Sequence, residues 1–309
     1  MRRLKIVGYG TYLSSKELHF GDQTRYRMNG DDNQVTMSVK ACQNALKSAN
    51  MSINDIDLII CASAIMAQLL PATSALIHAE LFQNLDIPAI DINTSCSSFI
   101  TALDIASHYL ELGTYNNILI VSGDAASKGM NINQKESYEL FTDAAAAVIV
   151  TKGSEKEGVF DSLQKTYSEG VHLTEVRGGG TLYPGSEFVP EKKEEYYFDM
   201  KGKEVLLTTA RVVPKFIKEL LTRNNLTVED VDLIIPHQAS PALKMVMGRL
   251  KIPEDKYIDW VSKYGNMVSA SIPYVLCKLL EDKKLEDKHR ILLFGTAAGL
   301  TINGLILDI

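Results

Sequence analysis

The tetrapeptide Asp-Leu-Ile-Ile occurs twice in this chain, at Asp57 and again 175 positions later at Asp232. A second pair agrees. Ile118-Leu119-Ile120-Val121-Ser122-Gly123 resembles Ile291-Leu292-Leu293-Phe294-Gly295-Thr296, 173 positions later. Two near-equal offsets between unrelated stretches indicate an internal duplication. Within each half, short apolar runs alternate with amphipathic segments, which predicts βαβ units and mostly parallel sheets. Two such halves, 1–155 and 156–309, are expected to stack two sheets with helices between and outside them.

The chain has 309 residues, 46% of them hydrophobic and 23% charged, and a net charge of −6. These values suit a globular protein. They give no reason to expect nucleic acid or an anionic membrane surface as a partner. No apolar run reaches membrane-spanning length. Met1-Arg2-Arg3 leads into a strand-like run rather than a signal-peptide core, so a cytoplasmic protein is expected. Cys42, Cys61, Cys96 and Cys277 fit neither a zinc site nor a disulfide framework. Residues 14 to 34, polar and rich in Asp, Asn, Gly and Arg, read as a surface excursion. Helices are expected at Thr36 to Ala49, from Pro71 to about Gln83, and from about Val205 to Asn224. Gly178-Gly179-Gly180 lacks the flanking strand and helix of a phosphate loop, and Glu191 to Glu195 reads as a solvated charge run.

Chemistry concentrates on the stretch Ile90 to Phe99. A short strand is followed by the helix-capping types Thr94 and Ser95. Then comes an amphipathic run through Phe99, Leu103, Ala106 and Leu110 that Gly113 ends. Cys96 is expected in the first helical turn, where free N–H groups and the helix dipole favour the thiolate. The bland alternative is a buried, inert cysteine. Moving Asn266 back by 173 positions gives position 93, so Asn266 is also expected at a helix start near the pseudo-two-fold axis. His237 directly follows the second repeated strand. Ligands gather beyond the carboxyl ends of parallel strands, so the duplication is expected to bring Cys96, His237 and Asn266 to one place.

A Cys, a His and an Asn fit two chemistries. Papain-like proteolysis is opposed by the duplicated α/β pattern. In acyl transfer through a cysteine thioester, Cys96 carries the acyl group. His237 and Asn266 then donate hydrogen bonds to one carbonyl oxygen and stabilise the enolate left when a malonyl thioester loses carbon dioxide. The small-residue turn Gly295-Thr296-Ala297-Ala298-Gly299, ahead of a final strand at Leu300 to Leu307, lets backbone approach a substrate. With the Cys96 N–H it would form an oxyanion hole.

Four motifs carry a resemblance across nearly the whole chain: Thr94-Ser95-Cys96-Ser97-Ser98-Phe99, Pro236-His237-Gln238-Ala239, Tyr264-Gly265-Asn266 with Ser269-Ala270-Ser271-Ile272-Pro273, and Phe294-Gly295 to Gly299. Together they resemble the β-ketoacyl-acyl-carrier-protein synthase III family of the thiolase superfamily. The resemblance implies an α/β thiolase-like five-layer α-β-α-β-α sandwich and a homodimer. It implies a catalytic Cys96, His237 and Asn266 acting with malonyl-acyl-carrier protein, and the Ala298 N–H beside that of Cys96 in the oxyanion hole. Leu70 would sit where the partner subunit enters the acyl pocket, with Phe99 beside the nucleophile. No metal and no resident cofactor are implied. The acyl thioester arrives as substrate, on coenzyme A or on the carrier protein. Members that use coenzyme A carry an early Trp and a Gly-Ile-Arg-type segment. Here the one Trp is Trp260, Arg25 and Arg27 stand unaccompanied, and the glycine-rich loop is altered at Thr296, Ala297 and Ala298. These departures suit a specialised relative in a secondary-metabolite or polyene-type pathway. Lys244, Arg249 and Lys251 form a basic patch that an acidic carrier protein would recognise, or else a solvated helix face. Two readings compete with decarboxylative condensation: acyl transfer to an alcohol or amine without decarboxylation, and a non-catalytic partner subunit of a synthase.

Overall fold

The computed structural model describes residues 1–83 and 85–309. Ten strands build two sheets: β1 (Arg2–Arg3), β2 (Lys5–Leu13), β3 (Leu58–Cys61), β4 (Ala89–Asp91), β5 (Asn117–Asp124), β6 (Ala144–Thr151), β7 (Gly158–Thr166), β8 (Leu233–Pro236), β9 (Arg290–Ala297) and β10 (Thr301–Asp308). The first sheet runs β2-β6-β5-β3-β4 and the second β1-β7-β10-β9-β8. Apart from β1, which adds to the edge of β7, the second order repeats β2-β6-β5-β3 of the first, and β4 has no counterpart strand among the described residues. The main helices are α1 (Gln34–Ala49), α2 (Thr73–Leu81), α3 (Ser98–Leu112), α4 (Gly202–Thr222), α5 (Leu243–Arg249), α6 (Val261–Tyr264) and α7 (Ser271–Glu281). Among the described residues no helix is long and apolar enough to cross a membrane.

The layers follow from side-chain alternation along strands that are apolar on both faces. In β3 and β5, Leu58, Ile60, Ile118 and Ile120 point inward to a central core that also holds Leu103 of α3 and Val275 of α7. Their neighbours Ile59, Cys61, Leu119 and Val121 point outward onto Met37 and Ala41 of α1 and Ile77 of α2. The second sheet does the same. Leu233, Ile235, Ile291 and Leu293 face the central helices, while Ile234, Leu292 and Ile306 face Val213, Phe216 and Leu220 of α4. The result is a five-layer α-β-α-β-α stack, with α3 and α7 in the middle.

The duplication is repeated bond by bond. Asp57 accepts from the N–H groups of Asn116 and Asn117, at 2.8 and 2.9 Å. Asp232 accepts from those of His289 and Arg290 at the same distances. Each aspartate thereby ties the start of one strand to the start of its parallel neighbour, which explains why Asp-Leu-Ile-Ile is retained twice.

Three expectations are corrected. The sheets are mixed rather than mostly parallel. The β3–β4, β3–β5 and β8–β9 pairs are parallel, but β2–β6, β5–β6, β9–β10, β7–β10 and β1–β7 are antiparallel. The β9–β10 pair is joined by a tight turn that admits no crossover helix. The surface excursion contains a hairpin, Lys16–Phe20 with Gln23–Arg27, turning at Gly21 with φ +65. Its anchor is Arg25, fully buried, which donates to the carbonyls of Glu139, Thr24, Val261 and Ser262. Lastly, the helix after Cys96 begins at Ser98, so Cys96 lies in the turn before it and not in the first helical turn. Thr94 and Ser95 do not cap that helix, whose N-cap is Ser97.

Candidate active site

The turn that carries Cys96 and the turn that carries Asn266 are the same structure used twice. In the first, the Ser95 N–H donates to Asn93 Oδ1 at 2.8 Å, and Ser95 has φ +52. In the second, the Val268 N–H donates to Asn266 Oδ1 at 2.8 Å, and Val268 has φ +53. The Thr94 N–H reaches Ser98 Oγ at 2.9 Å and the Met267 N–H reaches Ser271 Oγ at 3.0 Å. Asn93 Nδ2 donates to the Ala64 carbonyl at 3.0 Å, and Asn266 Nδ2 to the Ala239 carbonyl at 3.1 Å. A left-handed backbone at a β-branched residue such as Val268 costs roughly 1–3 kcal/mol and marks a turn whose shape matters.

These bonds fix Asn266, which is 5% exposed. Its oxygen is held by Val268 and one amide hydrogen by Ala239, two residues beyond His237. The second amide hydrogen is free to donate elsewhere. His237 follows β8 and is placed by its own N–H, which donates to the Phe294 carbonyl at 2.7 Å. The imidazole is 5% exposed, and among the described residues its Nδ1 is sealed from solvent without a hydrogen-bond partner. Burial pushes its pKa down to about 4, so the ring is neutral at physiological pH and carries one N–H.

The β9–β10 hairpin lies between His237 and the turn that carries Cys96. A Cβ added at Gly295 would lie 3.2 Å from His237 Cβ and 4.0 Å from Ser97 Cβ. A side chain at Gly295 would crowd His237, which would have to give by a few tenths of an ångström, while Ser97 in the Cys96 turn would be in ordinary contact. Beyond Gly295, Gly299 at φ +76 and Leu300 at φ +50 close the turn. The Ala298 backbone meets the Cys96 thiol, where it and the backbone of Cys96 itself favour the thiolate. Those hydrogen bonds are outweighed. Burial, and then the charge of Asp124, push the thiol up to about 12. The expected dipole-stabilised thiolate is therefore corrected: Cys96 rests as a thiol. Partly buried, it packs against the cluster containing Phe141, Val268 and Phe294.

The other candidates are placed differently. Phe99 is fully buried in the central core with Met267 and Ala270, whereas Cys96 packs against a separate cluster. Phe99 is thus a core side chain. Leu70 is 84% exposed on the loop before Pro71. Lys244, Arg249 and Lys251 are exposed on and just after α5. Lys244 is paired with Glu254 at 2.7 Å, which leaves Arg249 and Lys251 as the less compensated charges. Among the described residues no His, Cys, Asp and Glu cluster could hold a metal ion.

Asp124 was not singled out from the sequence, where it is one acidic residue at the end of an apolar strand. In the fold it is fully buried at the end of β5, near enough for its charge to act on Cys96.

Comparison with known proteins fits this architecture. Residues 90–168 match the family described as 3-oxoacyl-[acyl-carrier-protein (ACP)] synthase III, and residues 221–309 match its C-terminal part. A β-ketoacyl-[acyl-carrier-protein] synthase III of Clostridium perfringens is 31% identical, the match covering 97% of this chain and 98% of that protein. One from Aquifex aeolicus is 29% identical over 98% of each. The crystal structure of 3-oxoacyl-[acyl-carrier-protein] synthase III from Aquifex aeolicus superposes with a TM-score of 0.88 at 27% identity, covering 99% of this chain and 100% of that one.

Proposed function

Because this chain belongs to the 3-oxoacyl-[acyl-carrier-protein] synthase III family of the thiolase superfamily, we propose that Cys96, His237 and Asn266 perform a decarboxylative Claisen condensation. The enzyme is a β-ketoacyl synthase III-like acyltransferase, with acyl thioester and acyl carrier protein as substrates. In the first half-reaction the Cys96 sulfur attacks the thioester carbonyl. Burial raises the Cys96 thiol and lowers the His237 imidazole, so both shifts favour the neutral pair at rest. The thiol proton therefore leaves as the carbon–sulfur bond forms, passing by way of the neutral imidazole to the departing thiol. The backbone N–H groups of Cys96 and Ala298 hold the oxyanion.

In the second half-reaction a malonyl thioester loses carbon dioxide. The resulting enolate oxygen takes one hydrogen bond from His237 and one from the free amide hydrogen of Asn266. A donor of this kind contributes roughly 2.7–4 kcal/mol to lowering the barrier. A neutral His237 suits the step, because an imidazolium would protonate the enolate rather than hold it. The enolate carbon then attacks the acyl-Cys96 carbonyl, the carbon–sulfur bond breaks, the departing Cys96 sulfur takes up a proton from water, and a β-ketoacyl thioester leaves. The observation that carries this reading is the slot at Gly295, which sets the His237 and Cys96 turns against one another.

A second copy of the chain is part of the proposal. Ile65, Met66, Leu69 and Leu70 are exposed together on one loop, an apolar patch that suits burial in a homodimer, with Leu70 entering the acyl pocket of the other subunit. The priming thioester arrives on acyl carrier protein or on coenzyme A; Arg25, whose donors are taken by backbone carbonyls and by Gln23 Oε1, does not reach out to a nucleotide, and the protein works in the cytoplasm. Intact-protein mass spectrometry after incubation with acyl-coenzyme A and acyl-carrier thioesters tests the first half-reaction through the mass gained on Cys96. Release of labelled carbon dioxide from a malonyl thioester tests the second. Acylation of Cys96 without that release would establish the transferase alternative, and absence of both would establish the non-catalytic subunit.

A further inference from the structure

In the C-terminal half, the position equivalent to Cys96 at the offset of 173 is Ser269. Its hydroxyl is not free. It donates to Asp124 Oδ2 at 2.5 Å, and the Ser269 N–H donates to the same oxygen at 2.9 Å. The other carboxylate oxygen accepts from the N–H groups of Ala64 at 3.1 Å and Ile65 at 2.9 Å. Asp124 comes from β5 of the first half and Ser269 from the second, so the carboxylate bridges the two halves at the site. Asp124 and Ser269 are both fully buried. Among the described residues no cation pairs with Asp124. A buried carboxylate so placed is expensive unless every lone pair is engaged, and here four bonds from three residues engage them.

Ser269 adjoins Val268, the strained residue whose N–H holds Asn266 Oδ1. The Ala64 that donates to Asp124 is the same residue whose carbonyl accepts from Asn93 Nδ2. The Asn266 carboxamide therefore has its direction set by a turn that is pinned, one residue further on, by a carboxylate from the opposite half. We infer that Asp124 is a positioning residue for the condensation half-reaction: through Ser269 it fixes the Met267–Ser269 turn and so the aim of the Asn266 amide. The same carboxylate acts on Cys96 in the opposite sense, because its negative charge opposes thiolate formation. One residue thus improves the second half-reaction at a cost to the first, and that opposition separates the role from simple support of the fold.

This inference rests on the function proposed above. Wild-type acylation of Cys96 and carbon dioxide release from a malonyl thioester are the controls, and their failure would refute that function rather than the role of Asp124. In Asp124→Asn the charge is lost and an amide N–H faces donors. Iodoacetamide alkylation of Cys96 near neutral pH is expected to rise severalfold, since thiolate population increases faster than its nucleophilicity falls. Condensation is expected to fall at least tenfold in kcat, with KM for the malonyl thioester within a factor of two. Ser269→Ala keeps the N–H bond and removes only the hydroxyl, and is expected to lower condensation three- to tenfold with acylation unchanged. It decides the matter if Asp124→Asn does not fold. Condensation within twofold of wild type in either folded variant would overturn the inference. So would a parallel fall of both half-reactions, which is the signature of general loosening.

Discussion

The sharpest test of the site is Asn266→Asp, which keeps the shape of the side chain, replaces its donor by an acceptor and adds a negative charge. Oδ1 of Asn266 accepts from the Val268 N–H at 2.8 Å, and that bond survives the substitution. Nδ2 donates to the Ala239 carbonyl at 3.1 Å. An oxygen there faces a carbonyl oxygen, which leaves two acceptors opposed in a site only 5% exposed. The stability cost is that of an unsatisfied buried acceptor, roughly 1–3 kcal/mol, so Tm falls by a few degrees and the fold persists. The catalytic cost is larger. The enolate oxygen loses a donor, worth roughly 2.7–4 kcal/mol or about 10²–10³ in rate. A charged carboxylate beside a developing oxyanion adds to that loss. Carbon dioxide release from labelled malonyl thioester should therefore drop at least a hundredfold, while the rate of mass gain on Cys96 stays within threefold. Burial holds the introduced carboxyl above the ordinary range for aspartate, so on lowering the pH it protonates, regains a donor, and the deficit narrows. Condensation within threefold of wild type at pH 7.5 would refute the assignment of Asn266. Equal loss of acylation would show instead that the turn had collapsed.

Three further outcomes follow from the same geometry. Gly295→Ala places a methyl 3.2 Å from His237 Cβ and 3.4 Å from Ile272 Cδ1. Because the His237 N–H is tied to Phe294, the imidazole must yield, and kcat for condensation is expected to fall about tenfold with little change in far-UV circular dichroism. Arg249→Glu should raise KM for the carrier-protein thioester several-fold and leave a small thioester unaffected, whereas Lys244→Glu should do less, since Glu254 already compensates Lys244; matched KM values for the two substrates would remove the docking role. His237, held neutral with its pKa down at about 4, binds fewer protons folded than unfolded between that value and the ordinary 6.5. Its contribution is therefore complete above pH 6.5 and is lost as pH falls towards 4, amounting to about 2 kcal/mol by pH 5. Asp124, raised to about 6, works in the opposite direction below pH 6, so the term is isolated by comparison: Tm should fall less in His237→Gln than in wild type between pH 7 and 5.

The duplicated frame could be read from residues because it is held by residues. Asp57 and Asp232 each take two backbone N–H groups from the start of the neighbouring parallel strand, so both strand pairs recur in the second half, at offsets of 175 and 173. Of the candidate site residues, His237 was legible because it directly follows the second Asp-Leu-Ile-Ile strand, and Asn266 because the offset carries it onto the Cys96 turn. What escaped reading depended on distance in sequence. Polarity hid the 16–27 hairpin, whose inward side chain is a guanidinium that satisfies carbonyls as far away as Ser262. The state of the Cys96 thiol was inferred from a helix dipole. It is governed instead by packing near Phe294 and by a carboxylate on another strand, neither of which local sequence specifies. The antiparallel half of each sheet escaped because apolar periodicity is the same for either strand direction.

The site is best understood as a symmetric scaffold made asymmetric at three positions. Both halves build the same turn, with an asparagine whose oxygen is held two residues on and whose amide points at the loop after the neighbouring strand. Only one half places a thiol after that turn, at Cys96, where the other has Ser269. Only one half places an imidazole at the end of the parallel strand, at His237, where the equivalent position is Ala62, fully buried. The two asparagines then diverge by burial: Asn93 is exposed, and Asn266 is enclosed with His237. A two-fold arrangement would present two weak, identical centres. In the proposed reaction the nucleophile, Cys96, comes from one half and both carbonyl-binding donors, His237 and Asn266, come from the other. An electrophilic carbon held on one side then meets a nucleophilic carbon generated on the other, which is the geometry that joining two acyl groups requires and that neither half could supply by itself.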